Sequence, residues 1–148
     1  MKNPIVHFEI PADNVERAMK FYQETFGWEI NTYEMPEGSA TGGDPYYGIR
    51  TVEVDENDMP KEPGGINGGL MKRKMPGQPF MNYIQVDSID EMLKVIKTNG
   101  GDIKLPKMEI APTMGWIAAF MDTEGNMMGL HELAPEFKKK LENKKVVS

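Results

Sequence analysis

The sequence predicts an α+β chain built from two βαβββ units in tandem. Three observations carry this. Residues 4–30 run strand, capped amphipathic helix, glycine stop, strand, and residues 81–105 repeat that order. Both helices open on a polar cap with Glu three positions later, Asp13 with Glu16 and Ser88 with Glu91, the pattern of a capping box. The rest of each half alternates apolar and polar side chains with the period of a strand covered on one face.

In the first half, Ile5, His7 and Glu9 alternate with Val6, Phe8 and Ile10, and Pro11–Ala12 is expected to end the strand. Val15, Ala18, Met19, Tyr22 and Phe26 form one helical stripe. Gly27 stands where a left-handed residue closes a helix. Trp28–Met35 restarts a period of two, followed by the Gly- and Pro-rich loop PEGSATGGDPYYG. Tyr47–Val54 reads as a third strand and 66–73, interrupted by Gly68–Gly69, as a fourth. Glycines inside a strand mark a bulge or a backbone that something approaches closely. The acidic run Glu53, Asp55, Glu56, Asp58 fails as a calcium loop, because Met59 and Pro60 replace a ligand and the turn glycine.

Residues 73–79 form the linker. In the second half a strand ends at Val86–Asp87, and Ile89, Met92, Leu93 and Ile96 form the helical stripe. Gly100–Gly101 ends it. Lys104–Ile110, Thr113–Met121 and Asn126–Leu133 read as strands, the first kinked or exposed at Pro106. The caps Asp13 and Ser88 stand 75 residues apart, so the order predicts an internal duplication with modules at 4–72 and 80–133. Residues 1–133 are expected to make one domain, with a basic tail at 134–148.

Composition narrows the function classes. Net charge is −6, and the tail alone carries +3, so the body carries −9. An acidic body argues against nucleic acid as a partner. No apolar run approaches the ~18 residues of a membrane span, and no signal peptide is visible. With no cysteine there is no disulfide, thiolate metal site or Cys nucleophile. A cytoplasmic location is the expectation. Thirteen methionines suggest adaptable packing and a soft apolar pocket wall. Trp28 and Trp116 read as packing residues.

The tandem βαβββ order, with DNVERAMKFYQETFGWEI in the first half and AAFMDTEGNMMGLHEL at the end, resembles the vicinal oxygen chelate superfamily. That group includes glyoxalase I, extradiol dioxygenases and bleomycin-resistance proteins. The resemblance covers residues 4–133. It implies a curled, mixed eight-stranded sheet around a pocket, and a homodimer. It also implies a divalent metal held by His and Glu from strands of both modules. Carried over by position, those ligands fall on His7, on Met81, on Gly129 and within 65–71, a stretch without His, Asp or Glu. One expected ligand survives. The implied cofactor is therefore none, with a divalent ion such as zinc or nickel as the alternative.

His7 and Glu9 share a strand face, about 6.6–7 Å apart along the strand. They fit a proton-transfer pair, a ligand clamp, or a His hydrogen-bonded in a polar cavity. The candidate ligand-binding set is His7, Glu9, Met81, Tyr83, Gln85, Gly129 and His131; the candidate catalytic pair is His7 and Glu9. The expected function is metal-free binding of a small organic molecule. The alternative is an enzyme of that superfamily, a lactoylglutathione lyase-like lyase, an isomerase or a dioxygenase, using His7. In the tail, Phe137 and Leu141 are spaced to dock one face of a short helix.

Overall fold

A computed structural model describes residues 2–147, with the side chains of Leu141 and of 143–147 outside the description. Its elements are β1 (Ile5–Ala12), α1 (Val15–Phe26), β2 (Glu29–Tyr33), β3 (Tyr46–Arg50) and β4 (Gly68–Lys72), then β5 (Met81–Gln85), α2 (Ile89–Thr98), β6 (Asp102–Glu109), β7 (Trp116–Met121), β8 (Met127–Glu132) and α3 (Pro135–Val147). The strands form one open, mixed sheet in the order β2-β3-β4-β1-β5-β8-β7-β6. This is the α+β, eight-stranded architecture expected.

The two halves meet at the sheet's centre, where β1 and β5 pair antiparallel with His7 opposite Tyr83 and Glu9 opposite Met81. β4 lies parallel to β1, with Glu9 opposite Gly69. β8 lies parallel to β5, with Tyr83 opposite Gly129. The edges are drawn toward each other at one end, because Ala40 in the β2–β3 loop donates its N–H to the Ile110 carbonyl just past β6 (2.9 Å).

Period-two alternation decides which residues meet the helices. Phe8 and Ile10 of β1 and Leu70 of β4 pack with Val15, Ala18, Met19 and Tyr22 of α1, and Trp28 joins them. Ile84 of β5, Ala118 of β7 and Leu130 of β8 pack with Ile89, Met92, Leu93 and Ile96 of α2, with Trp116 beside them. Ile49, Leu70, Ile89 and Leu130 are almost wholly excluded from water. Each contributes about 1.5–3 kcal/mol relative to exposure. Both helices lie on one face of the sheet, so His7, Glu9, Gly69, Met81, Tyr83, Gln85, Gly129 and His131 belong to the other face.

Several boundaries differ from the sequence expectation, each for a physical reason. β1 continues through Pro11, which pairs only with β4 because β5 begins opposite Glu9. The proline ring there takes no donor from a ladder. α1 is capped by Asn14, not Asp13: Asn14 Oδ1 accepts from the Arg17 N–H (2.9 Å), while Asp13 pairs with Arg73. The two caps are therefore 74 residues apart, not 75. Ser88 does cap α2, accepting from the Glu91 N–H, but the Glu91 carboxylate turns to Lys94, so neither box closes reciprocally. β3 ends at Arg50, and Val54 keeps only an isolated bridge to Pro60. Pro106 is tolerated because β6 is the other edge. Gly27 does close α1 with φ 69°. Among the tail pair, Phe137 is half-buried, and Leu141 lies outside the described side chains.

The cap assignment gives a small, clean prediction. Asn14→Ala should destabilise the protein by about 1 kcal/mol in urea titrations. Asp13→Ala, which removes an exposed ion pair, should cost no more than roughly half of that. The opposite ranking would restore Asp13 as the cap.

Candidate functional site

The site is built on the two central strands. His7 and Glu9 stand on the non-helical face of β1, and Tyr83 stands beside them on β5. Tyr46, the first residue of β3, reaches over from beyond β4. Its hydroxyl lies 2.8 Å from His7 Nε2 and donates to Glu9 Oε2 at 3.2 Å. Tyr83 donates its hydroxyl to Glu9 Oε1, also at 3.2 Å. The Glu9 carboxylate is thus clasped by two phenols, one per oxygen. Tyr46 has a single hydroxyl proton and gives it to Glu9, so His7 donates Nε2–H to the Tyr46 oxygen and leaves Nδ1 bare. The Tyr83 ring meets His7 edge-on, with centroids 5.6 Å apart.

Two glycines make room for these rings. A Cβ on Gly69 would come within 2.5 Å of Tyr46 Cε1 and overlap its hydroxyl. A Cβ on Gly129 would come within 2.5 Å of Tyr83 Cε1. Any side chain at 69 or 129 would displace a tyrosine. This is the close approach that glycines inside β4 and β8 foretell.

Electrostatics follow from burial. Burial lowers the His7 pKa to about 4, and the nearby His131 adds to the shift. Burial raises the Glu9 carboxyl above its ordinary value, and the bonds from Tyr46 and Tyr83 only partly offset it. Burial and the Glu9 charge push both phenols up. Burial also lowers His131, against its bond to the Met114 backbone and the charge of Glu132. At neutral pH neither histidine supplies a cation, and among the described residues no Lys or Arg hydrogen-bonds to the cluster.

Of the residues singled out from sequence, the structure gathers His7, Glu9 and Tyr83 into one bonded group. Gly129 belongs to it as the bed of the Tyr83 ring. Met81 is opposite Glu9 and offers no polar bond. Gln85 and His131 sit side by side one step further along β5 and β8, outside the bonded group. Glu132 turns to the helical face, where it accepts the Ile89 N–H at the start of α2 (2.8 Å) and pairs with Lys107 and Lys138. Tyr46 is the residue that sequence reasoning missed, assigned to the loop before β3. A signal was present: Tyr46, Gly48 and Arg50 continue the alternation of β3 in the phase opposite to buried Ile49.

The metal that the resemblance implies does not fit these residues. Among the described residues no three of His, Cys, Asp and Glu converge as a ligand group, whereas zinc takes three or four protein ligands and calcium or magnesium several oxygens. Of the expected ligand positions, Gly129 is covered by the Tyr83 ring, another is Met81, and the stretch 65–71 holds no His, Asp or Glu.

Known proteins agree with this architecture. Residues 4–42 match the bleomycin resistance protein-like N-terminal family. A glyoxylase-like domain-containing protein of Didymella fabae is 32% identical over 118 residues, covering 80% of this chain and 84% of that protein. A putative glyoxylase of Mycobacterium bovis is 30% identical over 125 residues, covering 82% of this chain but 42% of that protein, so the chain spans under half of its length. Among solved structures, methylmalonyl-CoA epimerase of Streptomyces coelicolor in complex with 2-nitronate-propionyl-CoA superposes with a TM-score of 0.64 at 15% identity, over 91% of this chain and 97% of that one. A hypothetical protein of Bacillus halodurans gives 0.64 at 15%, over 90% and 96%. At such identities these two structures speak for the fold alone. Fold and relatives converge: the chain belongs to the glyoxalase-like proteins of the vicinal oxygen chelate superfamily.

Proposed function

We propose that this protein binds a small, uncharged organic molecule on the non-helical face of its sheet, and does so without a metal ion. The observation that carries this reading is the packing of Tyr46 and Tyr83 over Gly69 and Gly129. Those rings fill the volume that ligand side chains would need, and they turn the centre of the face into a hydrogen-bonded set of Glu9, two phenols and a neutral histidine. A few convergent polar groups in an apolar surround are what orient a small ligand. The buried Met71 and the half-buried Met81 and Met127 flank the set and supply adaptable apolar contact. An anion would meet the Glu9 carboxylate with no Lys or Arg among the described residues hydrogen-bonded there to balance it, so the reading favours an uncharged ligand.

The test is a screen of uncharged small molecules by protein-observed NMR. Binders should shift the Tyr46 and Tyr83 side-chain signals equally in EDTA and in excess zinc. Binding that appears only with a divalent ion, or that leaves both tyrosines unmoved, would reject the reading.

A further inference from the structure

We propose that Asn67 is a ligand-binding residue, and that the molecule it binds is a carboxamide with an N–H on the same side as its oxygen, a primary amide or a lactam. The amide oxygen accepts from Asn67 Nδ2, and the amide N–H donates to Nδ1 of His7. This rests on the binding reading above and names its ligand class.

Asn67 stands one residue before β4. Gly68 pairs with Phe8 in the parallel β1–β4 ladder, so the residues before them, Asn67 and His7, are neighbours on adjacent strands. A Cβ on Gly68 would meet the Phe8 ring of the helical face, and one on Gly69 the Tyr46 ring of the other face. Alternation therefore groups Asn67 with Gly69, on the face of His7 and Glu9. The Asn67 amide is also fixed in orientation. Its Oδ1 accepts the backbone N–H of Thr51 (2.8 Å) and of Val52 (3.2 Å). Only the oxygen of the amide can accept two N–H donors, so it cannot be turned over. Nδ2 is left as a buried donor, and among the described residues it is the one buried side-chain polar atom without a hydrogen-bond partner. An unpaired buried donor costs stability, and its retention in a native fold calls for a reason.

The rest of the cluster supplies the reason. Its donors are spent internally: His7 Nε2–H on Tyr46, and both phenols on Glu9. What it still offers a ligand is acceptors, chiefly the bare Nδ1 of His7. A carbonyl oxygen arriving beside His7 needs a donor, and Asn67 holds one fixed on the adjacent strand. Adjacent strands lie about 4.8 Å apart, a span that one amide edge can bridge by bonding a side chain on each. A primary amide or a lactam presents N–H and C=O on one edge. A trans secondary amide presents them on opposite edges and can satisfy only one of the two. A ketone has no N–H for His7. The ligand oxygen reaches Nδ2 through a side-chain adjustment of the kind that binding commonly brings.

The experiment titrates full-length, tag-free protein in EDTA with 2-pyrrolidinone, N-methyl-2-pyrrolidinone and N-methylacetamide, following side-chain amide and His ring signals by NMR. The Asn67 amide pair is assigned by its disappearance in Asn67→Asp. 2-Pyrrolidinone should shift that pair and the His7 ring together. The other two probes, each unable to use both groups, should bind about tenfold more weakly or worse. Asn67→Asp keeps an acceptor for Thr51 and Val52 but removes the donor, and should lose about as much affinity for 2-pyrrolidinone. If that variant does not fold, the probe series on the wild type decides alone. Equal binding of the three probes, or an Asn67 pair unmoved by saturating 2-pyrrolidinone, overturns the proposal. No binding of 2-pyrrolidinone, while other uncharged molecules of the wider screen shift Tyr46 and Tyr83, overturns the amide assignment and leaves the binding reading standing. A screen in which nothing shifts the tyrosines overturns both.

Discussion

Gly69→Ala and Gly129→Ala are each expected to destabilise the protein by roughly 3 kcal/mol, beyond the usual effect of a single methyl. Overfilling a packed region costs about 1–3 kcal/mol, and here the new Cβ meets a ring that is itself hydrogen-bonded. At Gly69 the Tyr46 hydroxyl must withdraw, so its bonds to His7 and Glu9 are lost as well. Each such bond is worth about 1 kcal/mol. At Gly129 the neighbour is Tyr83, only 6% exposed, with little space to swing into. Pairing the substitutions isolates the cause. In a Tyr46→Ala background Gly69→Ala should become nearly neutral, and Tyr83→Ala should do the same for Gly129→Ala, which is the coupling that a double-mutant cycle reads. Gly68 is the control: its Cβ would strike the Phe8 backbone carbonyl, so no single side-chain truncation should rescue Gly68→Ala. Urea denaturation of these variants checks all of this, and additive effects at 69 and 46 would remove the basis for the ring-over-glycine arrangement.

A comparable loss is expected on acidification, and His7 is its main source. Its pKa falls from 6.5 to about 4 on folding. Between these values the unfolded chain binds the proton and the folded one does not, so stability falls as pH drops from 6.5 to 4. At about 1.36 kcal/mol per pH unit, the full effect is about 3 kcal/mol, reached near pH 4. His131, lowered in the same direction, adds to it. Glu9 works against both: its raised pKa means the folded carboxyl gains a proton more readily than the unfolded one, so its contribution rises as pH falls through its folded value. His7→Gln keeps a donor toward Tyr46 and removes the titration. It should flatten the acid limb and raise Tm relative to wild type by roughly 10 °C near pH 4, with little difference at pH 7. Calorimetric scans between pH 4 and pH 7 measure this. A wild-type Tm that holds level over that range would mean that His7 titrates at its ordinary value.

The sequence carried most of the fold, because period-two strands and glycine-stopped helices leave strong local signals. The equivalence of β1 and β5, each with its own helix packed on the face of Phe8, Ile10 and Ile84, could be expected from the repeated pattern, whereas their pairing with each other could not. Element ends were less legible. Asp13 and Asn14 are both competent caps, and the choice fell to Arg73, a residue 60 positions away, which takes Asp13. Pro11 looked like a strand end because one sequence cannot say that β5 stops short of it. In the site, His7, Glu9, Tyr83 and Gly129 were visible through alternation and position. Tyr46 was not, since its role depends on β3 lying two strands from β1 and on Gly69 leaving space between them. Gly129 read as a missing ligand in the sequence and Gly68–Gly69 as a bulge or close approach; only the structure shows which rings lie over Gly69 and Gly129.

Elemental analysis of full-length protein, purified without a His tag, tests the phenol-clasped site most directly. Well under one equivalent of any transition metal is expected, before and after incubation with zinc, nickel or manganese, and the same for His7→Ala. One equivalent of metal in the wild type, lost in His7→Ala, would contradict it and return His7 to the role of metal ligand.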